Sequence, residues 1–122
     1  MKEYVRSLSD FMQVVRRTGG VEYGLRGTLK HVGSARLVVA SNGLAPEEVA
    51  RLEDSIKDSR GILVHFRDIT PAELGRAVGR QHPVKALAVI ALGDADLDRF
   101  LDSIKGLEES GALRMVRASR RR

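Results

Sequence analysis

The sequence predicts an α/β fold, a three-layer α/β/α sandwich, and three observations carry that prediction. Segments with helical periodicity alternate with short apolar runs along most of the chain. The runs Leu37-Val38-Val39-Ala40, Ile62-Leu63-Val64-His65-Phe66 and Ala86 to Leu92 are near-continuously apolar, as strands buried on both faces read. Glycine and asparagine punctuate the changes at Gly19-Gly20, Asn42-Gly43, Gly61 and Gly93. A strand apolar on both sides needs helical cover on both sides, and layers follow.

The elements follow in chain order. Leu8, Phe11, Met12 and Val15 recur at helical spacing, with Ser7 or Ser9 available as an N-cap and Gly19-Gly20 as the stop. Val21-Glu22-Tyr23 is a short strand, and Gly24 to His31 a second helix with Leu25, Leu29 and Val32 on one face. A strand over 36–41 ends at Asn42-Gly43. Pro46 suits the first turn of a third helix reaching Ser59, with Val49, Leu52 and Ile56 inward and its acids outward. After the strand Ile62–Phe66, Thr70-Pro71-Ala72-Glu73 forms a capping box for a helix that Gly79 ends. The strand from Ala86 follows, and then an acidic helix from about Ala95 to Lys105 carrying Leu97, Phe100, Leu101 and Ile104. Residues 1–113 read as one domain, and residues 114–122 as an Arg-rich tail, mobile or ordered by a partner.

Composition excludes whole classes of function. A chain of 122 residues can bury one core, and with no cysteine it has no disulfide, no thiolate metal site and no thiol nucleophile. No apolar run reaches membrane-spanning length. The first residues, with Lys2, Glu3, Arg6 and Asp10, form no signal-peptide core, so a soluble cytoplasmic protein with no membrane partner is expected. Two Tyr, three Phe and no Trp are too few aromatics for a surface that stacks a run of unpaired bases.

Charge is informative through its placement. The last nine residues hold five Arg and no acid, so residues 1–113, with 16 basic and 16 acidic side chains, balance, and the net +5 belongs to the tail. Within that neutral body, no Asp or Glu occurs from Tyr23 to Pro46, where Arg26, Lys30, His31 and Arg36 lie. The same holds from Leu74 to Gly93, with Arg76, Arg80, His82 and Lys85. A fold that joins the two stretches creates one positive end, for which a polyanion is the natural partner. Either stretch alone could equally be a solvated face.

Catalytic motifs fail on spacing. His31, His65 and His82 are scattered over a helix, a strand and a loop, without zinc-ligand spacing. Asp94, Asp96 and Asp98 alternate at a helix start, where acids complement the dipole rather than share a face. Gly24-Leu25-Arg26-Gly27-Thr28 lacks the Gly-Lys-Ser/Thr ending of a nucleotide P-loop and the glycines of a dinucleotide fingerprint. What remains is a helix start with an arginine one turn in, suited to an RNA phosphate. No cofactor or metal is expected, and a small phosphate- or nucleotide-utilising enzyme is the most distant reading.

Five segments then carry a resemblance. They are Gly24 to Lys30, Ala35 to Asn42, Glu73 to Gly79, Leu87 to Ile90, and Gly93-Asp94-Ala95-Asp96-Leu97. In order and spacing the chain resembles, over about residues 8–104, the archaeal and eukaryotic large-subunit ribosomal protein thirty of the "e" type. That family belongs to a superfamily that binds kink-turn RNA. The resemblance implies a four-stranded mixed sheet between helices, with RNA bound at one end. It implies contacts from Gly24, Arg26, Gly27 and Lys30, from Asn42, and from Arg80, Gln81, His82, Pro83 and Val84. Together with the charge pattern, Arg26, Lys30, Arg76 and Arg80 are expected on phosphates. Asn42 and His82 would meet unpaired bases; alternatively Asn42 assists the turn with Gly43.

Two positions depart from the superfamily. Box C/D-type readers carry an Asn-Glu pair where Arg26-Gly27 stands, which disfavours an adaptor of a box C/D or RNase P ribonucleoprotein. The ribosomal branch often has an aromatic residue where His82 stands. The expected function is therefore a structural constituent of the large ribosomal subunit, holding a kinked internal loop of large-subunit rRNA beside neighbouring ribosomal proteins on the cytoplasmic ribosome. The kink-turn adaptor is the alternative.

Overall fold

Successive residues of the central strands enter different cores. In the computed structural model, which describes residues 2–118, Leu37 and Val39 join one apolar cluster while Val38 and Ala40 join another. Ile62, Val64 and Phe66 likewise oppose Leu63, and Leu87 and Val89 oppose Ala86 and Ala88. This period of two, with both sides buried, is why the strands read as continuous apolar runs.

The order is α1 (Glu3–Thr18), β1 (Gly20–Tyr23), α2 (Leu25–His31), a 3-10 turn (Val32–Ser34), β2 (Leu37–Ala40), α3 (Pro46–Lys57), β3 (Ile62–Phe66), α4 (Pro71–Ala77), β4 (Ala86–Ala91), α5 (Leu97–Ile104), α6 (Leu107–Ser110) and β5 (Leu113–Arg117). The larger cluster packs α1, α4 and α5 on one face of the sheet, through Leu8, Phe11, Met12, Val15, Leu74, Phe100 and Ile104. The smaller cluster packs α2 and α3 on the other, through Leu25, Leu29, Leu52 and Ile56. Ala86 and Ala88 keep the floor beneath α2 shallow, so a short helix with two leucines covers it.

The sheet has five strands, not the expected four, in the order β1-β4-β2-β3-β5. It is mixed: β2 and β3 run parallel, and every other pair is antiparallel. The added strand corrects the tail assignment. A domain end at residue 113 would cut β5 at its first residue; Arg114 to Arg117 pair with His65 to Ile62 of β3. Leu113 and Val116 are buried on opposite faces, and Arg114 Nε donates to Glu53 Oε2 of α3 at 2.9 Å. Ser119 to Arg122, the remainder of the assigned tail, lie outside the described residues.

Two helix starts also differ. α1 begins at Glu3 with Lys2 at its N-cap, so Ser7 and Ser9 lie inside the helix. α5 begins at Leu97 because Asp96 is the cap, its Oδ1 accepting from the Arg99 amide at 3.1 Å. The capping box of α4 forms as read: Thr70 Oγ1 accepts from the Glu73 amide at 3.1 Å, and the Thr70 amide donates to Glu73 Oε1 at 2.9 Å. No helix among the described residues is long and apolar enough to cross a membrane.

Candidate nucleic-acid interface

The strand directions bring the carboxyl ends of β1, β2 and β3 to the same end of the sheet as the start of β4. Five connections therefore meet there: Tyr23-Gly24, Ser41 to Ala45, Arg67 to Thr70, Val78 to Lys85, and Gly111-Ala112 ahead of β5, whose Ala112 carbonyl accepts from the Arg67 amide at 2.9 Å. Backbone hydrogen bonds tie them together. The Gly24 amide donates to the Ala86 carbonyl at 2.8 Å. The Ser41 amide and hydroxyl both donate to the Lys85 carbonyl at 2.9 Å. The Asn42 amide donates to the Ile69 carbonyl at 2.8 Å, and the Val84 amide to the Pro71 carbonyl at 3.0 Å. The Gly24 and Ser41 links join the two acid-free stretches directly.

Arg80 makes a further link. Its guanidinium lies 4.4 Å from the centroid of the Tyr23 ring, a cation–π contact that bridges the α4–β4 loop to the entry of α2. The loop itself leaves α4 through a Schellman turn. Gly79, at φ +77°, donates to the Arg76 carbonyl at 3.1 Å, and Arg80 donates to the Gly75 carbonyl at 2.8 Å. Arg16, in the last turn of α1, closes the turn from outside, its Nη1 donating to the Val78 carbonyl at 2.6 Å.

Residue by residue, the sites named from sequence fall into three groups. Gly24, Arg26, Asn42, Arg80, Gln81, His82 and Pro83 lie on or beside this end, with Lys30 one turn beyond Arg26 along α2; of these Gly24 is partly exposed and the rest are exposed. Gly24 adopts φ +95°, which favours glycine, and the space its missing Cβ would fill is open. Asn42 Nδ2 donates to the Arg67 carbonyl at 3.2 Å, so it braces the β3–α4 loop rather than only the turn with Gly43. Gly27 and Val84 have packing roles. A Cβ at Gly27 would lie 3.2 Å from Glu22 Oε1, and the Val84 side chain is buried in the larger cluster. Arg76 stands apart, lining a groove between α1 and α4 with Lys2, Val5, Ser9, Glu73 and Ala77.

The electrostatics of this end are one-sided. Among the described residues, Arg26, Lys30, Arg67, Arg80 and Lys85 have no carboxylate partner within 4.0 Å. Glu47, in the first turn of α3, is exposed beside this end, but other nearby acids are engaged internally. Asp68 accepts a hydrogen bond from the Tyr4 hydroxyl, and burial followed by that carboxylate raises the Tyr4 pKa. The Thr70 amide holds the Glu73 pKa below its ordinary value. Glu22 lies alongside α2, 3.9 Å from His31 Nε2. His65, half-buried behind Ser41, has its pKa lowered by burial and then by Arg67.

Sequence reasoning missed Tyr23, Arg67 and Arg16. Tyr23 had a signal, since it is one of two tyrosines and directly precedes Gly24. Arg67 was hidden by its neighbour Asp68, which placed it outside the acid-free stretches. Arg16 acts across 62 residues of sequence and left no local mark.

Known proteins are similar to this chain to different depths. The large ribosomal subunit protein eL8 of Haloquadratum walsbyi is 35% identical over 89 residues, 71% of this chain and 73% of its own. The large ribosomal subunit protein eL30 of Methanothrix thermoacetophila is 33% identical over 93 residues, 75% of this chain and 85% of its own. A solved structure of a protein of unknown function from Bacillus halodurans C superposes with a TM-score of 0.62, over 89% of this chain and 99% of its own. At 19% identity it speaks for the fold alone. A family profile matches residues 6–98, from α1 into the first turn of α5 and through both acid-free stretches, and by that match the chain belongs to the ribosomal protein L7Ae/L30e/S12e/Gadd45 family.

Proposed function

We propose that the chain is a non-catalytic constituent of the large ribosomal subunit that holds a kinked internal loop of large-subunit rRNA at this end of the sheet. The observation that carries the reading is the joining of two acid-free stretches through the Gly24–Ala86 and Ser41–Lys85 hydrogen bonds and the Arg80–Tyr23 contact. Arg26, Lys30 and Arg80 meet phosphates, while Asn42 and His82, exposed on braced loops, face unpaired bases. Membership of a ribosomal-protein family, not an enzyme family, and relatives named eL8 and eL30 of the large subunit support the ribosomal setting. Neighbouring ribosomal proteins and a place on the cytoplasmic ribosome follow from that setting.

The test is a salt-series titration of a kink-turn rRNA fragment and a straight duplex of equal length. Arg26→Ala or Lys30→Ala is expected to weaken binding to the kinked fragment and to lower the slope of log K against log salt by about one unit for each lost phosphate contact. An unchanged slope takes that side chain off the RNA. Co-sedimentation with salt-washed large subunits is the second arm. Kink-specific binding without co-sedimentation would favour the adaptor reading instead.

A further inference from the structure

We propose that the groove between α2 and α3 is a second RNA-backbone contact, which receives the phosphates of the helical stem leaving the kink. The inference rests on the proposed function and adds a site beyond the end of the sheet. The groove, of about 470 Å³, is lined by Leu25, Arg26, Leu29 and Lys30 of α2 and by Arg51 of α3. Leu25 and Leu29 are half-buried over the smaller cluster and form its floor. Arg26, Lys30 and Arg51 are exposed. Aliphatic stems along an apolar floor with their charged heads in water are the arrangement long basic side chains favour.

Charge selects the occupant. No carboxylate lines the groove, and among the described residues none of its three cations has an ion-pair partner within 4.0 Å. This holds for Arg51 even though Glu47, Glu48 and Asp54 share α3, and Glu48 is held back on the Ala45 amide at 2.8 Å. No buried polar side chain points into the groove to define a single anion. Three separated, water-exposed cations fit a chain of phosphates better than one small ligand. Position then favours RNA over an acidic protein segment. α2 starts at Gly24, on the proposed RNA end, and Arg26 and Lys30 belong to both sites. Lys30 lies about 6 Å further along the helix axis. Backbone leaving the kink along α2 reaches Lys30 and then Arg51.

The experiment pairs protein variants with RNA length. Full-length wild-type protein, Arg51→Ala and Arg51→Glu are titrated over a salt series with two kink-turn RNAs, one whose flanking stem extends a full helical turn and one cut back to the kink. On the long-stem RNA, Arg51→Ala is expected to lose several-fold in affinity and about one unit of salt slope, and Arg51→Glu to lose more. On the short-stem RNA the three proteins should bind alike. Equal binding of Arg51→Ala and wild type to the long stem overturns the proposal while leaving kink recognition standing. Equal losses on both RNAs also overturn it, because Arg51 would then touch the kink itself. Polyglutamate as competitor gives a third outcome: displacement by Arg51-dependent binding, with RNA slopes unchanged, assigns the groove to an acidic protein. Absence of any kink preference in the wild type overturns the functional reading and this proposal together. Matching thermal midpoints show that the variants are folded.

Discussion

Asn42 commits its side-chain amide to the Arg67 carbonyl, leaving Oδ1 for a partner outside the protein. Asn42→Ala therefore tests two properties. Chemical denaturation should show a loss of about 0.5–1.5 kcal/mol for the brace, towards the lower end because the bond is exposed. RNA titration should show a further loss of about 1–3 kcal/mol if Oδ1 reads a base edge. A stability loss alone, with unchanged affinity of the folded protein, makes Asn42 a brace only. His65 offers a pH test. Burial, Arg67 and Arg114 lower its pKa from 6.5, against the opposing influence of Ser41 and Glu53. Between 6.5 and the lower folded value the unfolded chain binds more protons, so stability should fall as pH drops through that window. The effect of Glu73 belongs to a lower range, because its pKa is held below 4.5. Urea unfolding from pH 7.5 downward should show the slope just below 6.5, and His65→Leu should remove it.

At the scale of elements, legibility followed sequence distance. The start of α4 was readable because Thr70 and Glu73 satisfy each other three residues apart. Its end was half readable: Gly79 marks the stop, but the Arg16 clamp belongs to a helix far earlier in the chain. The strand β5 was missed because Leu113-Arg114-Met115-Val116-Arg117 carries two cations in five residues. On an edge strand such charges guard the exposed side against pairing with another chain. The start of α1 was misplaced because Lys2 offers no side-chain cap and instead reaches the Asp68 carbonyl at 2.9 Å. Gly79→Ala tests the clamp. Alanine is disfavoured at φ +77°, and its methyl would meet the Arg16 guanidinium. A loss of at least about 1 kcal/mol in stability is expected, with Gly79→Asn losing less because asparagine tolerates the left-handed region. Equal stability of all three proteins would mean the turn relaxes without the clamp.

For the whole molecule, the charge pattern was legible before any contact was known, but the meeting of its parts was not. The order β1-β4-β2 brings Gly24 and Ser41 to opposite sides of the β4 entry. Only strand pairing could reveal that, because the partners lie dozens of residues apart. The same pairing divides the basic C-terminal segment into two parts with different work. Arg114 and Arg117 sit on a strand whose Leu113 and Val116 are buried, whereas Arg120, Arg121 and Arg122 follow it in sequence. Deleting residues 119–122 removes three arginines and takes the net charge from +5 to +2. Binding to straight duplex RNA should weaken and lose salt dependence, while the thermal midpoint and the preference for kinked RNA persist. Deleting residues 114–122 also strips the β3 edge and should lower the thermal midpoint and promote aggregation. If the shorter deletion abolishes kink preference in a folded protein, recognition resides in the terminal arginines and not at the end of the sheet. If the longer deletion leaves stability intact, β5 contributes little to the fold, and the division of the segment at Ala118 is wrong.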